Sequence, residues 1–115
     1  MRERLSTILF ELKNGVVVVE GKHDVAVMER LGICTSTYER VMRGGLTVPE
    51  GAKVFILTDD DRRGSEKADA VSGFLSGSLG PCRLDRETGL RLLDLCNATS
   101  VEQVSKPIEK IMEGS

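Results

Sequence analysis

Aromatic residues are scarce in this 115-residue chain: there is no tryptophan, and Phe10, Tyr38, Phe55 and Phe74 are the whole set. That scarcity argues against a stacking platform for unpaired bases, which needs several exposed rings in a row. The chain has one histidine, His23, and three widely separated cysteines, Cys34, Cys82 and Cys96. No spacing among them matches a zinc site, and an odd number set among apolar neighbours reads as buried free thiols. No apolar run approaches the ~20 residues needed to span a bilayer, and Met1-Arg-Glu-Arg-Leu-Ser6 lacks the apolar core of a signal peptide. The expectation is a cytoplasmic protein with no membrane partner. An excess of positive charge is also missing. The formal net charge is −2, whereas strong nonspecific binding to nucleic acid usually shows as a basic face.

What is present is concentrated in two stretches. Lys53-Val-Phe-Ile-Leu-Thr-Asp59-Asp60-Asp61-Arg62-Arg63-Gly64 runs from an apolar segment straight into three carboxylates, two arginines and a glycine. This order predicts a buried strand that ends in a charged loop. Carboxylates so close together repel, and either one of them takes a raised pKa or a cation sits among them. The simpler alternative is a solvated acidic turn capping the next helix. The second stretch, Gly15-Val-Val-Val-Val-Glu20-Gly21-Lys22-His23-Asp24, is again a β-branched run ending at an acidic residue. In a parallel sheet both acidic ends lie on one edge, outside the carboxyl ends of the strands, where open α/β sheets bind ligands.

The order strand, Glu20-Gly21-Lys22, helix, then strand, Asp59-x-Asp61-x-x-Gly64, helix resembles the Toprim domain shared by topoisomerases, bacterial primases and several nucleases. The match covers residues 15 to about 84, with helices over about 86 to 112 completing a single domain of residues 1–115. In detail the chain looks most like the small, free-standing primase-like Toprim proteins, whose nearest characterised relatives are nucleases that mature 5S ribosomal RNA. The resemblance implies a Rossmann-like three-layer α/β/α sandwich with a mainly parallel four-stranded sheet. It implies that Asp59 and Asp61 hold one or two Mg²⁺ ions, with Mn²⁺ as a substitute, and that Glu20 is a general acid or base or a further metal ligand. Lys22, Arg62 and Arg63 would bind substrate phosphate. The expected activity is Mg²⁺-dependent phosphodiester chemistry on nucleic acid, as an RNA-processing nuclease or nucleotidyl-transfer module. The alternatives are a noncatalytic metal- and nucleic-acid-binding module of a larger assembly, with a protein partner or a second copy, and a receiver-like phosphoacceptor domain. The 5S-maturing nucleases and the primases carry further substrate-binding domains, which this stretch of sequence does not supply.

The remaining elements follow from periodicity. Leu5, Ile8, Leu9 and Leu12 lie at helical spacing within residues 2–13, a first strand spans about Val16–Glu20, and a second helix spans about His23–Leu31. Asp24 suits the positive end of that helix, a structural duty. Residues 33–41 contain a short strand, and Tyr38 reads as structural. The acidic loop leads into a helix from Gly64 to about Leu75, with residues 76–81 as a loop and Cys82–Leu84 as a fourth strand. A helix over about Arg86–Cys96 carries a costly internal Gly89. Ser100-Val-Glu-Gln103 is a capping-box pattern opening a last helix, which Pro107 should break or kink.

Overall fold

The computed structural model describes residues 1–80 and 83–113. The chain forms helix α1 (Arg2–Lys13), strand β1 (Val16–Val19), α2 (Lys22–Arg30), β2 (Thr35–Thr37), α3 (Tyr38–Met42), β3 (Val54–Ile56), α4 (Arg62–Leu79), β4 (Leu84–Asp85), α5 (Glu87–Leu95) and α6 (Ser105–Glu113). A short 3-10 turn, Val101–Gln103, precedes α6. The four strands lie in the order β2-β1-β3-β4, and every pairing is parallel. This is the α/β class with the parallel four-stranded sheet that the resemblance implies, and it places β1 and β3 side by side.

The sheet is buried on both faces, which is why its strands read as unbroken apolar runs. Val17, Val19, Phe55 and Leu57 face one core with residues of α1, α2, α5 and α6. Val18, Val54 and Ile56 face a second core with Val41 of α3 and Ala68, Val71 and Leu75 of α4. The alternation along each strand is the period of two expected of extended chain. Helices α2 and α4 therefore lie on opposite faces, and the chain leaves β1 toward β2 but leaves β3 toward β4. The gap between the ends of β1 and β3 is the topological switch point of the sheet.

Several boundaries differ from expectation. Residues 33–41 hold a three-residue strand followed at once by α3. The Thr37 hydroxyl accepts from the Arg40 N–H at 3.2 Å, and this side-chain cap starts the helix. Helix α4 begins at Arg62 and runs through the expected loop to Leu79, ending where Gly80 takes φ 80°. The fourth strand is Leu84–Asp85, and Cys82 lies outside the described residues. Pro107 does not break the last helix. It sits in the first turn of α6, where a missing N–H costs nothing. Gln103 does cap, but toward Thr99, whose N–H donates to its side-chain oxygen at 2.9 Å. Cys96 is buried as expected, whereas Cys34 is exposed because it immediately precedes the edge strand β2.

Candidate functional site

Glu20, the first residue beyond β1, continues the alternation that puts Val18 on the α4 side of the sheet. Its carboxylate spans the switch point. Oε2 accepts from the Asp59 backbone N–H at 2.8 Å, and Oε1 accepts from Lys67 Nζ of α4, also at 2.8 Å. Burial alone would raise the Glu20 carboxyl, but these bonds outweigh it and hold the group below the ordinary carboxylate value. Glu20 is therefore ionised at neutral pH.

Asp59 is the opposite case. Its carboxyl is pushed up to about 7, first by burial, then by its hydrogen bond to Glu20 and by the negative charges of Glu20, Asp24 and Asp61. None of the side-chain ion pairs among the described residues includes Asp59. Asp61 is the N-cap of α4, and its Oδ1 accepts from the Gly64 N–H at 2.7 Å. Asp60 is exposed and ties its backbone N–H to the Thr99 carbonyl at 2.8 Å. Asp24 is buried, with Oδ2 accepting from the Gly21 N–H at 3.3 Å, so the structural duty expected of it is met. Burial raises its pKa, and the charges of Glu102 and Glu20 add to that, against the Gly21 bond.

The loop between β3 and α4 is held closely. A Cβ on Gly64 would stand 1.8 Å from the Asp59 carbonyl oxygen, so only glycine fits there. The buried Thr58 hydroxyl donates to the Gly64 carbonyl at 2.6 Å and accepts from Arg86, whose second amino group reaches the Asp59 carbonyl at 3.3 Å. Sequence reasoning did not assign Arg86 or Thr99 to this edge. Arg86 had a legible signal, since a charged residue directly after the fourth parallel strand must share the edge with Glu20 and Asp59. Thr99 had none, because it arrives through the loop after α5.

Of the predicted residues, Glu20, Asp59 and Asp61 come together, but not as a ready-made cage. Among the described residues no three carboxylate, imidazole or thiol groups converge to enclose a metal ion. Glu20 is committed to Lys67 and Asp59, and Asp61 gives one oxygen to its cap. The donor set still suits Mg²⁺, a hard cation commonly held by one or two carboxylates with water and substrate phosphate completing its shell. Asp59, short of positive partners, and the second oxygen of Asp61 are the groups that would hold it. Lys22, Arg62 and Arg63 are exposed around the site. Arg62 pairs loosely with Glu66 at 3.4 Å. His23 is exposed as well. No helix among the described residues is long and apolar enough to cross a membrane.

Comparison with known proteins places the chain among archaeal relatives. It is 32% identical over 120 residues to a UPF0292 protein of Methanosarcina acetivorans, covering 95% of this chain and 83% of that protein. A UPF0292 protein of Methanosarcina barkeri is 33% identical over the same shares. One of Pyrococcus horikoshii is 34% identical over 95 residues, 75% of this chain and 68% of its own length. No family model and no solved structure matches the chain. Identity at this level over nearly the whole chain is enough to assign kinship: the protein belongs to the UPF0292 family.

Proposed function

We propose that the protein performs Mg²⁺-dependent phosphodiester chemistry on nucleic acid, of the Toprim type, with RNA as the substrate. The observation that carries this reading is the convergence of Glu20 with Asp59 across the switch point, which leaves one carboxylate ionised and the next with a pKa near neutrality. Groups with environments pushed apart in this way, placed at a ligand-binding edge, are characteristic of functional sites.

Asp59 and Asp61 would hold the metal. When bound, Mg²⁺ supplies a charge sink for the non-bridging oxygens of a phosphate. Glu20, already ionised, is suited to accept a proton from an attacking hydroxyl rather than to donate one. Lys22, at the first position of α2, and Arg62 and Arg63, at the start of α4, are exposed cations flanking the edge. They would steer and hold the phosphate backbone, with the free N–H groups at the α4 N-terminus as further donors.

A noncatalytic binding module of a larger assembly is the second reading. It is favoured by the engagement of both Glu20 oxygens within the protein. The two separate on one experiment: incubation of the purified chain and of Glu20→Gln with a panel of RNA and DNA substrates in Mg²⁺, scoring cleavage and affinity side by side. Loss of a proton-transfer group lowers rate by ~10² to 10⁴-fold, so the variant should keep its affinity and lose its turnover. Binding without cleavage by wild type, unchanged in the variant, would establish the module instead.

A further inference from the structure

Lys67 falls beside the second sequence motif, three residues past Gly64, and the motif assigns it no role. Three of the four side-chain ion pairs among the described residues, Glu39–Arg43, Arg62–Glu66 and Glu87–Arg91, join residues four apart on one helix and are largely exposed. Such pairs are screened by water and contribute little. The fourth joins Glu20 to Lys67, 47 residues away, with side chains only 16% and 30% exposed. The Lys67 ammonium also lies 5.6 Å from the centroid of the Tyr38 ring, near enough for a cation–π attraction. Lys67 is thus held from both sides, and its charge is spent on one oxygen of Glu20.

We propose that Lys67 is a built-in counter-cation that occupies the position on Glu20 open to a second metal ion, so that the site takes one divalent cation, on Asp59 and Asp61. This rests on the metal-dependent reading above. Each Glu20 oxygen already accepts from a donor, Oε1 from the Lys67 ammonium and Oε2 from the Asp59 N–H. A second ion on Glu20 would have to stand against the repulsion of the Lys67 ammonium, 2.8 Å from Oε1, or displace it. On the other side of the site Asp59 has no cationic side-chain partner among the described residues and Asp61 uses one oxygen for its cap.

Counting bound Mn²⁺ by calorimetric titration of the full chain tests this without reference to turnover. Wild type should bind one ion, Lys67→Met two, and Lys67→Arg, which keeps the charge, one again. Adding Glu20→Gln to Lys67→Met should return the count to one, because the second ion loses its ligand. Lys67→Gln serves as the neutral variant should the methionine not fold. One ion in wild type and one in every neutral variant, at equal affinity, overturns the inference and leaves the metal reading standing. Two ions in wild type overturn it also. No ion in wild type overturns the metal reading, and the inference falls with it.

Discussion

At the scale of single residues, the acidic edge is a set of carboxylates with different partners. Glu20 has two donors, Asp61 has a helix to cap, and Asp59 has burial and like charges. That difference makes Asp59 a source of pH dependence. Its folded-state pKa, about 7, lies above the ordinary carboxylate value, so the native state binds a proton that the unfolded chain releases. The stability this contributes is full below about pH 4 and is lost as pH rises through about 7. In metal-free buffer, Asp59→Asn should therefore melt with a smaller fall in Tm between pH 5 and pH 8 than wild type. Parallel Tm profiles for the two proteins would show that Asp59 is not the group that titrates. The aspartates were legible in the sequence as a repelling cluster. Which of them would carry the strain was not, since that depends on Lys67 and on where Glu20 turns.

At the scale of elements, the decisive contact is between the end of β3 and the first turn of α4. Asp61 caps the helix, Thr58 bonds the Gly64 carbonyl, and the Asp59 carbonyl fills the space where any other side chain at position 64 would begin. Gly64→Ala should destabilise the fold by at least the ~1–3 kcal/mol typical of overpacking, since the obstacle is backbone and cannot turn aside. Gly73, in the same helix, has open space around its missing Cβ. Gly73→Ala should instead gain up to ~1 kcal/mol of helix propensity. Urea denaturation of both variants checks the contrast, and equal effects would mean that the β3–α4 contact is not tight. Gly89 repeats the theme in α5, where a Cβ would meet the Ile56 carbonyl oxygen at 2.9 Å. By composition alone it reads as a flaw in a helix, while packing makes it the residue that lets α5 rest on β3.

At the scale of the whole molecule, the proposed metal binding would be linked to folding, because an ion that binds only the folded site raises stability by mass action. Mg²⁺ at ten times its dissociation constant should add roughly 1.4 kcal/mol, read as a rise in Tm. Asp61→Asn sharpens the test. Asparagine caps a helix about as well as aspartate, so the metal-free variant should melt close to wild type while losing the Mg²⁺-dependent rise. A variant that responds to Mg²⁺ as wild type does would remove Asp61 from the ligand set.

The sequence by itself determined the elements whose cause is local or periodic. The valine run of β1, the leucine stripe of α1 and the apolar-to-acidic break after Leu57 each declare themselves within a dozen residues. Their order then restricts the fold to a parallel sheet with helices on both faces, and the sheet brings Glu20 and Asp59 to one edge. Only the tertiary structure decided what those carboxylates do there. Lys67 meets Glu20 because α4 crosses the face toward which Val18 and Ile56 point. Arg86 and Thr99 reach the acidic loop from elements that follow it by more than twenty residues. The short α3 was hidden because its cap, Thr37, lies in a run equally compatible with strand. Local periodicity reports which face of an element is buried. Long-range contacts set the charge, hydrogen bonding and packing at its ends, and at this sheet edge those ends form the site.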